Sequence, residues 1–482
     1  MYAGRLLTAG IVALAFANAR AATFYVRPDG GSVAQCDGRS NVAAAAKSDH
    51  HCAWHHPFDA LPPGGPARIA GGDTLNIAGG SYAMGRDADE AGALEKCRLD
   101  WPWDCHMTPV PGGTAQQPTR ILGAGYDGGC PRPPELWGTQ HASTVIDLSG
   151  SSHVEVGCLE ITDHSSCIEF HKGTNRADPC EREHPPYGAW ASAGISASDS
   201  TGVNLHDLYI HGLAHDGIRA GRLRDWSLER VRVIGNGWAG WNGDLGAGAS
   251  GNSGQISFRD VEIAWNGCGE RYPNGSHFGC WGEDSGGYGD GLGTSATAGH
   301  WVFDHVNVHH NAQDGIDLLH ADRTAKIDLR SVQARANAGN QVKASGSVRI
   351  EQSTIDGSCS ALGAEGGLAA GDLCRARGNS IELRLSEGIH DEVAENRIAG
   401  EGDCLLGVEC TEQDCRSAAA SIVRNQFSGS SGAADPRRLP CSAWVDPDLR
   451  GVRLDFLGNT VRNTRNKGCP QGFVCGSTRD GK

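Results

Sequence analysis

The sequence predicts an all-β chain, wound as a single-stranded parallel β-helix that forms one domain. Three observations predict it. The composition excludes a helical protein, since the 482 residues include 69 Gly, 20 Pro and only 3 Met, and no long stretch sustains a 3.6-residue apolar period. Short alternating strands recur from Val145 onwards. Aligning "DLYIHG", "RVRVIGNG", "DVEIAWNG", "HVNVHHNA" and "SVQARANA" sets Leu208, Val231, Val261, Val306 and Val332 in one column, at spacings of 23, 30, 45 and 26 residues. Finally, an asparagine follows four of these column members at a fixed offset: Asn236, Asn266, Asn311 and Asn337. A turn asparagine that recurs once per coil is the mark of a solenoid whose coils stack amide on amide at a corner. A β-propeller or sandwich predicts more even spacing or a recurring blade motif, and the chain has neither.

Taken in order, residues 1–21 read as a secretory signal. Arg5 supplies the positive end, Leu6–Phe16 the apolar core and Ala19-Arg20-Ala21 the small-x-small cleavage site. The apolar stretch is too short for a membrane anchor, and no later stretch could span a bilayer. The β-helix domain then covers residues 22–482. "TFYVRPDGG" and "GGDTLNIAGGSY" (Gly71–Tyr82) are strands bounded by turns. Residues 85–137, rich in Cys, Trp, Pro and Gly, read as a long insertion, and a second insertion near 268–287 accounts for the widest coil spacing. Weaker coils continue as "VRIEQSTIDG", "SIELRLSEG", "VAENRIAG", "ASIVRNQFSG" and "LDFLGNTVRN".

Eighteen cysteines without a CxxC motif point to disulfides rather than zinc, and to a secreted, extracellular or periplasmic protein. Close pairs such as Cys36/Cys52, Cys97/Cys105, Cys268/Cys280, Cys359/Cys374 and Cys469/Cys475 would staple the loops, with the connectivity left open. A formal net charge of −15 argues against nucleic acid as a partner, since phosphate binding needs a basic footprint.

A second column lies eight residues after the first. It reads Asp216, Asp314 and Asn340 after Leu208, Val306 and Val332, with Asp290 where the interrupted Val261 coil resumes as "DGLG", and three residues on come Arg219, Gly293, Asp317 and Lys343. Adjacent coils of a β-helix stand about 4.8 Å apart, so Asp290 and Asp314 should face each other across one rung, with Asp317 close by. Carboxylates that close repel and raise a pKa unless a cation separates them. A hard, oxygen-ligated cation such as calcium resolves the conflict. Asp-Gly is a common turn dipeptide, so Asp314 alone reads as a turn residue. Asp317 and Lys343 stand in strands, where such residues are depleted, and their bland reading is a salt bridge across rungs.

These residues resemble secreted right-handed parallel β-helix polysaccharide lyases, family nine pectate lyases most of all. The resemblance begins at "FYVRPDGG", "PFDAL" and "GDTLNIAGGSY" and is densest from Gly289 to Gly346. It implies that Asp290, Asp314 and Asp317 ligate Ca2+ and that Lys343 is the Brønsted base. One departure is Gln313, which stands where the family pattern has an acidic ligand. The reaction implied is β-elimination on an acidic, uronate-containing polysaccharide by a monomeric enzyme. Arg219, Arg335 and Arg349 are candidates to clamp substrate carboxylates. Trp238, Trp241, Trp265 and Tyr288 could stack on sugar rings or pack under loops. His305, His309 and His310 show no metal-ligand spacing.

The rivals are a glycoside hydrolase with Asp290 and Asp314 as acid and base, a uronate epimerase, and a non-catalytic secreted carbohydrate-binding β-helix protein.

Overall fold

The computed structural model of the chain describes residues 21–44, 50–88, 92, 94–98, 101–169, 178–245, 250–278, 280, 289–365, 378–410, 415–431, 438–447 and 449–476. Residues 1–20 of the signal segment, Tyr288, Cys374 and residues 279 and 281–287 of the second insertion lie outside these residues. Nearly every strand pairing is parallel, and each strand pairs with the strand one coil earlier and one coil later. This is a parallel β-helix.

Three sheets run along it. The first stacks ten strands: Ile146–Asp147, Ala193–Ser198, Asp216–Gly221, Ala239–Asn242, Leu292–Gly293, Ile316–Leu318, Val342–Ser345, Ile381–Leu385, Leu406–Cys410 and Trp444–Val445. The second includes Arg224–Glu229, Ser253–Arg259, His300–Asp304, Lys326–Arg330 and Ser347–Glu351. The third includes Arg232–Ile234, Glu262–Ala264, Asn307–His309, Gln333–Arg335 and Thr354–Gly357.

The valine column is formed as the spacing predicts. Leu208, Val231, Val261, Val306 and Val332 are all buried, and the chain after each pairs in register with the next coil, Tyr209 with Arg232, Glu262 with Asn307 and Asn307 with Gln333. Between the sheets the inward side chains fill the core. Trp226, Trp241, Phe258, Trp301 and Phe303 form an aromatic stack, with Phe258 and Phe303 rings 4.8 Å apart.

The asparagine corner is also formed. Asn236 Nδ2 donates to Asn266 Oδ1 at 2.8 Å, Asn266 to Asn311 at 2.9 Å and Asn311 to Asn337 at 2.8 Å, and Asn337 passes the chain of bonds to Gln341 Oε1 at 2.7 Å. Each acceptor oxygen also takes the backbone N–H of the preceding asparagine. The ladder has a local reason. The residue before each asparagine, Gly235, Trp265, His310 or Ala336, has a φ of 55° to 66°, a left-handed bend that is costly for a residue bearing a Cβ. The stacked amides satisfy the buried donors exposed by that bend. A second ladder, Asn396 to Asn425 to Asn459, serves another corner of the later coils.

One sequence expectation changes. The segment over 85–137 is not all insertion: Thr119–Gly123 pairs with Thr74–Ile77, and Glu135–Thr139 pairs with Ser81–Gly85. Their alternation is hidden by flanking Pro and Gly. Eight disulfides are formed among the described residues, and they include four of the five close pairs. Cys359 is also bonded. No described helix is long and apolar enough to cross a membrane.

Candidate functional site

The first sheet carries the site on its outward face. Strand alternation buries Ile316 and Leu318 and turns Asp317 outward, and it does the same for Lys343 between Val342 and Ala344. The outward ladder reads Ser196, Arg219, Asn242, Gly293, Asp317, Lys343, Glu382, Gly407 and Trp444, one residue per coil. Asp317 and Lys343 are therefore direct neighbours, as expected from the spacing. Arg219 and Gly293 are not, because the coil Ala239–Asn242 lies between them and puts Asn242 in the ladder.

Beside the ladder runs the aspartate column. Asp290 Oδ1 accepts from the backbone N–H of Asp314 at 3.0 Å, and Asp314 Oδ1 accepts from that of Asn340 at 2.6 Å. One oxygen of each aspartate thus closes a rung of backbone. The other oxygens carry the electrostatics. Lys343 Nζ lies 2.6 Å from Asp314 Oδ2 and 3.1 Å from Asp317 Oδ2. Asp290 Oδ2 lies over Gly293, where a Cβ would come within 2.6 Å of it, so only glycine leaves that oxygen open to the cleft. The cleft encloses about 280 Å³ and is lined by Asn242, Asp244, Asp290, Gln313, Asp317, His320 and Lys343, among others.

Burial is the main cause of the shifts here. It raises Asp290 well above the ordinary carboxylate range, and the neighbouring Asp314 and Asp317 charges add to that. It raises Asp314 as well, although Lys343 works in the opposite sense. For Lys343 burial disfavours the charge, yet Asp314 and Asp317 outweigh it and hold the ammonium above the usual lysine range. One rung further, burial pushes Glu382 up to about 7, and Glu409 adds to that while Asn379 opposes it.

A cation site was expected at these aspartates. The donors are of the right kind: all are oxygens, and the buried Asn340 Oδ1 has no hydrogen-bond partner. The arrangement is that of an ammonium site, since Lys343 sits between Asp314 and Asp317. Among the described residues, no three Asp, Glu, His or Cys side chains gather closely enough to hold a metal ion.

The other candidates divide. Arg219 is on the same face but four rungs before Lys343. Its Nε lies 2.8 Å from Asp216 Oδ2, which also meets His215 Nδ1 at 2.9 Å. Arg335 and Arg349 do not reach the cleft. Arg335 belongs to the third sheet and Arg349 to the second, where it pairs with Glu351 and Glu392. Neither position was separable from the site by residue type alone. Trp241 points into the core, as period-2 alternation requires with Asn242 outward. Trp265 is stacked on both faces, by His277 and His310. Trp238 stacks on His215 at 4.4 Å, near Asp216. His309 bonds His310 and Glu262, and His305 bonds Asp304, all away from the cleft.

Asn242 and Glu382 were not anticipated. Counting eight and then three residues from Val231 reaches Asn242. The pattern "SIELRL", with Ile381 and Leu383 inward, turns Glu382 outward.

No family model matches the chain, and no curated protein matches it. Solved structures similar to it include a pectate lyase (12% identity, 93% of this chain and 78% of that one, TM-score 0.40). A mannuronan C-5 epimerase module of Azotobacter vinelandii is similar at 13% identity, 79% and 90% coverage and a TM-score of 0.41. So is a lacto-N-biosidase of Eubacterium ramulus, at 13%, 91% and 68%, and 0.39. The fold assignment rests on the strand pairing, and these likenesses add no chemistry to it.

Proposed function

We propose that the cleft around Lys343 is the active site of an exported, calcium-dependent polysaccharide lyase that cleaves a uronate-containing polymer by β-elimination. The observation that carries this reading is a partly buried lysine held between Asp314 and Asp317 in an open cleft on a β-helix face. A merely structural ion pair needs no cleft, and a surface pair needs no buried aspartates behind it. The eight disulfides support export.

In this mechanism Asp314 and Asp317 orient the Lys343 amine toward the bound sugar. The free amine takes the C5 proton, which is acidic because it lies α to the substrate carboxylate. The electron pair left at C5 forms the C4–C5 double bond as the C4–O4 bond breaks, and the departing oxygen takes up a proton. Calcium held by Asp290, Asp314 and Asp317, with Asn340 and Gln313 as neutral oxygen donors, would require these side chains to draw closer together than they stand around Lys343. Bound there, calcium neutralises the substrate carboxylate and favours the neutral form of a nearby lysine. Gln313 in place of an acid makes such a site less anionic.

One observation favours a second reading. Burial pushes the Asp290 carboxyl well above the ordinary carboxylate range, and it faces the cleft, as the general acid of a glycoside hydrolase would. Epimerisation shares the proton abstraction but leaves the polymer whole. Products separate the three. Incubation with a panel of acidic polysaccharides should give chain ends absorbing in the ultraviolet, from unsaturated uronides. Saturated reducing ends would assign a hydrolase, and inverted C5 centres without cleavage an epimerase. A non-catalytic carbohydrate-binding protein would bind without change to the polymer, and equally well without Lys343.

A further inference from the structure

The glycosidic oxygen that leaves C4 carries the electron pair of the broken bond and needs a proton. Lys343 gives none, since at that moment it takes one from C5. Asp290, Asp314 and Asp317 give none either, because carboxylates that ligate a metal are deprotonated. Glu382, the next outward residue after Lys343, leans over Gly407, is bonded to Asn379 and stands outside the cleft lining. His320 does line the cleft. It is exposed, and among the described residues no group bonds its imidazole. By contrast, His300, His305, His309 and His310, in the coil leading to the site, are each bonded.

The turn that carries His320 is pinned to the strand that carries Lys343. Asp317 Oδ1 accepts from the Leu319 N–H at 3.0 Å, while Oδ2 of the same carboxylate faces Lys343 Nζ at 3.1 Å. The His320 carbonyl accepts from the Thr297 N–H at 3.3 Å. Ser345 Oγ, two residues after Lys343, donates to the Ala321 carbonyl at 2.7 Å. A fixed backbone thus presents an imidazole that makes no bond of its own, at the edge of a cleft whose floor holds the base. Imidazole is also the side chain best suited to hold and release a proton near neutral pH. We propose that His320 is the general acid of the reaction and protonates the departing glycosidic oxygen while Lys343 removes the C5 proton. This rests on the lyase reading of the cleft and adds the donor that reading lacks. As the C4–O4 bond breaks, its electron pair takes the proton of the His320 imidazolium. A neutral imidazole, a hemiacetal hydroxyl on the departing sugar and an ammonium at Lys343 are left. Water then carries a proton from that ammonium to the imidazole, and both groups are reset.

Wild type, His320→Ala and His320→Phe are compared in calcium on polygalacturonate, alginate and glucuronan, following unsaturated uronide by ultraviolet absorbance. On each polymer that wild type cleaves, kcat of both variants should fall on the order of 10²-fold, with KM within about twofold of wild type. Added imidazole should restore turnover of the Ala variant roughly tenfold, since it fits the space the ring has left and supplies the same acid. It should do nothing for the Phe variant, whose own ring fills that space. Circular dichroism of each variant confirms the fold. Wild-type turnover in either variant, or a loss in the Ala variant that imidazole does not relieve, overturns the assignment of His320 and leaves the lyase reading standing. If wild type releases no unsaturated ends from any of the three polymers, both fall.

Discussion

Lys343 keeps its proton in this arrangement because Asp314 and Asp317 face it at hydrogen-bond distance. On the lyase reading, a lysine so held becomes a base only when a second cation relieves it. Chelation should therefore abolish turnover, and added calcium should restore it. Asp317→Asn removes one anionic ligand while keeping its size, and calcium affinity should fall on the order of tenfold or more, since affinity follows ligand charge. Titration calorimetry checks this, and an unchanged affinity would take Asp317 out of the metal site. Asp314, Asp317 and Lys343 were legible as one cluster because a strand period of two and a coil offset of eight fix their faces, and Asp290 joined them through the Asp-Gly pair it shares with Asp314. Arg335 and Arg349 were misjudged for the complementary reason. Guanidinium chemistry says what a residue can clamp, whereas register with His309 and Asp328 says which sheet it is on.

At the scale of elements, the asparagine ladder holds one corner and an ion-pair network the outer face of the third sheet. Asn311→Ala cuts the ladder in the middle and leaves Asn266 and the Asn266 backbone N–H without their acceptor. Stability should fall by about 1–3 kcal/mol, read from the urea midpoint; no change would make the ladder decorative. His211 bridges Glu160 at 3.0 Å and Glu270 at 3.2 Å. Burial alone would lower its pKa, but the two carboxylates outweigh burial and hold it at about 9, against 6.5 for a free imidazole. The folded state thus binds this proton more tightly than the unfolded chain. The stabilisation is fully present below pH 6.5 and is lost as pH rises through about 9. Wild type should lose more stability than His211→Asn across that interval, and parallel losses would contradict the assignment. The valine and asparagine columns were readable because each coil repeats them. The coil Ala239–Asn242 was passed over because Ala, Gly and Trp carry no charge to mark the site column.

For the whole molecule, the parallel pairing makes each coil a template for the next, so one outward ladder of residues runs along the first sheet from Arg219 to Trp444. That continuity was not readable, because the coils around Glu382 and Trp444 have irregular spacing and their partners are set only by register. The fold, by contrast, followed from repetition itself. The central claim is that the cleft around Lys343 performs β-elimination with that lysine as base. It is tested most directly by comparing wild-type protein with Lys343→Ala, in calcium, on the acidic polymer that wild type degrades, following unsaturated uronide by ultraviolet absorbance. Turnover should fall on the order of 10²–10⁴-fold while calcium and polymer binding persist. A variant that releases unsaturated uronide at the wild-type rate would contradict the account.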